Sequence, residues 1–88
     1  MRTNVRYFGN VQGIGFRATV RGIARTLPVT GWVRNEADGS VTLEVQGDND
    51  SISTLLDRVR KAMGPMIQSE QIAGTTDVDR ETGFVIAR

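Results

Sequence analysis

Short alternating runs and two longer helical stripes divide this chain into successive elements. From Asn4 to Phe8, Val5 and Tyr7 alternate with Arg6, which predicts a first strand ending at Gly9, although Phe8 puts an apolar side chain on its second face. Phe16, Val20, Ile23, Ala24 and Leu27 then fall at i, i+4, i+7, i+8 and i+11, one face of a helix that Pro28 terminates. Gly31-Trp32-Val33-Arg34-Asn35 reads as a second strand and Glu36-Ala37-Asp38-Gly39 as a hairpin connection. Val41, Leu43 and Val45 alternate with polar residues in a third strand, which Gly47 ends. One of Asp48, Asn49 or Asp50 is placed to cap a second helix, striped by Ile52, Leu55, Leu56, Val59 and Met63 and stopped by Gly64-Pro65. Met66 to Ala73 is a weaker strand pattern, diluted by Gln68, Ser69, Glu70 and Gln71. After a polar turn, Phe84-Val85-Ile86 forms a last short strand.

Two amphipathic helices and a sheet with one apolar face bury each other in a two-layer α+β sandwich. The order β-α-β-β-α-β with a short extra C-terminal strand predicts the ferredoxin-like arrangement, an antiparallel sheet with both helices on one face, over a single domain of residues 1–88. In that topology the first two strands run parallel with the third between them. Their C-terminal ends then share one edge of the sheet about 10 Å apart, which sets the Gly9–Arg17 stretch beside Asn35.

That stretch, Gly9-Asn10-Val11-Gln12-Gly13-Ile14-Gly15-Phe16-Arg17, is where the chain offers chemistry as well as architecture. Glycines let backbone N–H groups approach a ligand, and a helix start presents unpaired donors at the positive end of its dipole. Arginine at a helix start is unfavourable for that dipole unless an anion sits with it, so Arg17 is a candidate phosphate ligand. Net charge is only +1, but residues 1–35 carry six arginines and no acid, which also suggests that this part holds an anion. The chain has no cysteine and no histidine, which removes disulfides, thiolate chemistry, phosphohistidine, imidazole bases and the metal sites those residues build. With no apolar run of signal or membrane-spanning length, a cytoplasmic protein is expected.

Val11-Gln12-Gly13-Ile14-Gly15-Phe16-Arg17, together with Gly31-Trp32-Val33-Arg34-Asn35 and Asp38-Gly39-Ser40-Val41, resembles the acylphosphatase family, with element order agreeing over nearly the whole chain. The resemblance implies hydrolysis of the carboxyl–phosphate bond of small acyl phosphates, without metal or cofactor. It implies that Val11, Gln12, Gly13, Ile14, Gly15, Phe16 and Arg17 bind the substrate phosphate and that Arg17 and Asn35 are catalytic, Asn35 holding the attacking water. It departs from the family at Asn10, a position that is often basic there, which bears on affinity rather than reaction type.

An acyl phosphate suits such a site, because its carboxylate leaving group needs little protonation and positioning with charge stabilisation suffices. Asparagine both accepts from and donates to water but is no general base at neutral pH. Proton removal then falls to the substrate's own phosphate. Among the remaining residues, Gln12 either shapes the loop or binds solvent, and Trp32 is expected to pack, the alternative being a substrate contact. Arg21, Arg25 and Arg34 are solvated, while Asp48, Asp50, Asp77 and Asp79 flank turns and caps and hold no metal. The rival readings are a non-enzymatic phosphate-binding module, a nucleic-acid module, and a detached domain of the kind found in hydrogenase-maturation proteins. Sparse aromatics and the lack of an aromatic in Val41–Gln46 count against nucleic acid. The expected partner is a small acyl phosphate, with no nucleic acid and no membrane, and the expected state is a monomer.

Overall fold

The computed structural model describes residues 1–88 and orders them as β1 (Arg2–Gly9), α1 (Phe16–Ala24), β2 (Thr30–Asn35), β3 (Val41–Gln46), α2 (Asn49–Met63), one 3₁₀ turn (Gly64–Met66), β4 (Ile67–Gly74) and β5 (Phe84–Ile86). The sheet order is β4-β1-β3-β2-β5. β1 is antiparallel to β3 and to β4, and β3 is antiparallel to β2, so β1 and β2 point the same way with β3 between them. The inward faces of β1, β2, β3 and β5 contribute Val5, Tyr7, Val33, Leu43, Val45 and Phe84 to one core. Against them pack Phe16, Val20 and Ala24 of α1 and Ile52, Leu55 and Val59 of α2. The two helical stripes therefore do what their spacing predicts, covering one face of a two-layer sandwich.

The sheet is mixed rather than antiparallel throughout, because β5 pairs parallel with β2 from Gly31↔Phe84 to Val33↔Ile86. β4 runs down the outer side of β1 and finishes at Gly74 opposite Thr3. Residues 75–83 then cross the end of the sheet where β1 begins and β3 stops. The chain enters β5 where β2 also starts, and its direction follows.

That crossing is held by side chains. Arg2, whose side chain is 1% exposed, donates through Nε to Glu44 at 2.7 Å and grips Glu81 with both terminal nitrogens at 2.7 and 3.1 Å. Gln46 exchanges two hydrogen bonds with the backbone of Val78 at 2.7 and 3.0 Å. At the chain start, the amino group stands 3.6 Å from Asp77.

Three local expectations are refined. α1 stops at Ala24 instead of continuing to Leu27: Leu27 precedes Pro28, whose ring disfavours helical backbone in the residue before it, and Thr26 and Leu27 close the end with i→i−3 bonds to Ile23 and Ala24. Leu27 still reaches the core, from a turn. Asp48 is the residue that caps α2, accepting from the Ser51 N–H at 2.8 Å. β4 is polar because it is the outer strand, beyond the cover of α2, and even Ile72 is 52% exposed. Arg60 of α2 reaches across to Glu70 with three contacts of 3.0–3.2 Å and closes that flank.

Arg2 holds the Glu81 carboxyl below its ordinary value of 4.5, so the pair's contribution is complete above about pH 4.5 and is lost as pH falls through the lowered folded value. Glu81→Gln is expected to lower urea stability at pH 7 by about 2 kcal/mol and to flatten the acid limb of the stability profile. The Tyr7 hydroxyl lies in the core with no hydrogen-bond partner, and burial pushes its ionisation upward. Tyr7→Phe is expected to raise stability by about 1 kcal/mol in the same unfolding measurement.

Candidate active site

β1 ends at Gly9 with φ 130°, where a Cβ would stand 2.5 Å from the Met66 carbonyl oxygen, so only glycine admits the start of β4 this close. The Asn10 N–H donates to that same carbonyl at 3.0 Å, and the chain turns from the sheet edge back over its middle. Val11 anchors the turn in the core. Gln12 then fastens the loop to the β2–β3 hairpin: its side-chain amide donates to Glu36 O at 2.8 Å and to Ser40 O at 2.9 Å. Of the two roles open to Gln12 in sequence, shaping the loop is the one its side chain performs, leaving its backbone N–H as its donor to any ligand.

Gly13 and Gly15 take left-handed conformations at φ 77° and 80°, and Gly15 is the N-cap of α1. No side chain caps this helix and its first turn holds no acid. Its first intrahelical bond runs from Thr19 N–H to Gly15 O at 2.9 Å. From Val11 to Ala18 no backbone N–H meets an acceptor within the protein. This is a run of donors at the positive end of a helix dipole, an anion-binding geometry.

Arg17 stands in the first turn of α1 and makes no ion pair. The contrast with the other arginines corrects a simple reading of the charge pattern. Arg2 is bound to Glu44 and Glu81, Arg6 to Asp38 at 3.0 Å, and Arg34 to Glu36. The acids of the second part of the chain fold onto three of the six N-terminal arginines, so the basic block does not survive as a basic surface. The three without an ion pair, Arg17, Arg21 and Arg25, all belong to α1 or its C-cap. Arg34 also covers the Trp32 ring at 4.7 Å, on the face of the sheet away from the helices, so this solvent-exposed side chain is paired and stacked as well.

Asn35 is the last residue of β2, paired with Val41 in the ladder, and its side chain makes no hydrogen bond within the protein. It shares a cavity of about 220 Å³ with Val11, Gly13, Gly15, Phe16, Arg17, Ala18 and Ile86, and Asn35 and Arg17 carry the two polar side chains of that lining. The topology thus brings the loop, Arg17 and Asn35 together. Gln12 and Ile14 do not line the cavity: the first is turned to the hairpin and the second is 37% exposed. Ala18 and Ile86 are cavity residues that the sequence did not mark. Ala18 follows from its place one residue after Arg17 in the first turn, whereas no local signal marks Ile86, whose position depends on the parallel pairing of β5. The aspartates read as caps and turn residues lie outside the cavity, and no three acidic side chains cluster. Gln12→Ala is expected to lower stability by about 1–2 kcal/mol, the worth of two hydrogen bonds, and to speed amide exchange from Gly13 to Gly15.

The acylphosphatase family model matches residues 3–86. An acylphosphatase of Salinibacter ruber is 47% identical over 90 aligned residues, covering 99% of this chain and 93% of that protein. The crystal structure of acylphosphatase from Bacillus subtilis shares the fold with a TM-score of 0.88 at 22% identity, covering 99% of this chain and 98% of that one. A carbamoyltransferase of Cupriavidus necator is 38% identical across 98% of this chain, which corresponds to 11% of that protein. No helix is long and apolar enough to cross a membrane. Loop, strand order and full-length similarity lead to one conclusion: the chain belongs to the acylphosphatase family.

Proposed function

We propose that this acylphosphatase hydrolyses small acyl phosphates by attack of a water held by Asn35 on a phosphate held by Arg17 and the backbone N–H groups of Val11–Arg17. The observation that carries this reading is the pairing of unengaged donors. The loop N–H groups and Arg17 lack protein partners, and Val11, Gly13, Gly15, Phe16 and Arg17 line the cavity that Asn35 borders. The loop and the guanidinium meet the charge on the phosphoryl oxygens, which is where phosphoryl transfer concentrates it. Asn35 orients the water through its carbonyl oxygen and amide. As the water oxygen bonds to phosphorus, the bond from phosphorus to the acyl oxygen breaks and its electron pair leaves on the carboxylate. One water proton passes to a phosphoryl oxygen and the other stays on the new hydroxyl, giving a carboxylate and dihydrogen phosphate. Chemistry of this kind asks the protein for placement and fixed dipoles, in keeping with a chain that has no histidine or cysteine.

Acetyl phosphate hydrolysis in the presence of a chelator tests the proposal. Asn35→Ala is expected to lower kcat by roughly 100-fold or more while inorganic phosphate still binds with near-parental affinity by calorimetry. Arg17→Ala is expected to weaken phosphate binding by about 10-fold to 100-fold and to lower kcat/KM at least as much. Parental turnover in Asn35→Ala, or activity that requires added metal, would overturn the mechanism.

A further inference from the structure

We infer that Ile86, at the end of β5, is the wall on which the acyl group of the substrate rests, and so a determinant of which acyl phosphates are accepted. This rests on the function proposed above. The donors that suit a phosphate belong to the loop and the first turn of α1. The apolar side chains divide differently. Val11 and Phe16 line the cavity but belong to the core, at 1% and 2% exposure, and offer a ligand little surface. Ile86 is only partly buried: it packs against the core on one side and borders the cavity on the other. With the small side chain of Ala18, it supplies the accessible apolar surface beside the polar groups.

The position is also well held. Ile86 pairs with Val33, two residues before Asn35, and the Ala87 N–H donates to Val33 O at 2.8 Å just beyond it. The strand's other end is tied by the Gly31 N–H to Gly83 O at 3.1 Å. A carboxyl–phosphate substrate with its phosphate against the loop therefore has an apolar surface at hand for the hydrocarbon part of its acyl group. A bulky, apolar acyl group covers more of that surface than an acetyl group does, and burial of apolar area favours it.

The test compares benzoyl phosphate with acetyl phosphate in the parent, Ile86→Ala, Ile86→Val and Val85→Ala, with inorganic phosphate as a competitive inhibitor. Val85 is the control: it neighbours Ile86 on the same strand but faces away from the helices and is 50% exposed. Ile86→Ala is expected to lower kcat/KM for benzoyl phosphate by about tenfold, with acetyl phosphate changed less than about twofold and the phosphate inhibition constant unchanged. Ile86→Val, which preserves the packing against the core, shifts the ratio in the same direction by less, and Val85→Ala leaves it at the parental value. An unchanged ratio in folded Ile86 variants of an active parent, or an equal loss for both substrates, overturns this inference and leaves the proposed function standing. A parent that hydrolyses neither substrate removes that function and this inference with it.

Discussion

Eight consecutive backbone N–H groups, from Val11 to Ala18, find no acceptor inside the protein, and much of the surrounding structure serves to hold them in one place. A stretch of chain without internal hydrogen bonds is ordinarily mobile, since nothing offsets the entropy of ordering it. Here it is tethered at both ends and in the middle. Gly9 and Asn10 fasten its start to the beginning of β4, Val11 sinks into the core, Gln12 grips the hairpin carbonyls, and Phe16 begins the buried face of α1. Side chains thus supply the rigidity that the backbone donors do not, and the donors remain available to a ligand.

Electrostatics follow the same division. Where an arginine has a structural task it is given a carboxylate: Arg2 ties the crossing segment to the sheet, and Arg6 and Arg34 brace the hairpin. Arg6 also donates to Ser40 Oγ at 2.9 Å, so the hairpin that receives Gln12 is also held to β1. Arg17 has no such partner. An unpaired guanidinium beside a helix dipole of the same sign raises the local potential, and an anion relieves both. Neutralising the other arginines on the sheet leaves this field concentrated on α1 rather than spread over the surface.

The Arg2–Glu81 pair lies at the end of the sheet opposite the cavity, yet it belongs to the same construction. It orders the segment that delivers β5 to its edge, and β5 runs parallel to β2, so its last residues arrive at the edge where Asn35 stands. A short strand with three ladder pairs is a weak element by itself. Its placement depends on a partly buried bidentate contact made at the opposite end of the sheet from the cavity.

The elements, the hairpin and the meeting of the glycine loop with Asn35 are legible in the order of residues along the chain. These rest on local periodicity, on turn residues such as Gly39, and on a topology in which two parallel strands separated by a third end at one edge. That order also marked Arg17, because a cation at a helix start is out of place without an anion. Tertiary structure alone decided which of the six N-terminal arginines stay free, that the edge strand joins parallel, and that Ile86 reaches the cavity. Each of these depends on contacts between distant residues, such as Arg2 with Glu81 and Gln46 with Val78. Long-range pairings of this kind leave no periodic trace in the chain, since the partner of a surface charge is chosen by how the layers come together and not by its neighbours in sequence.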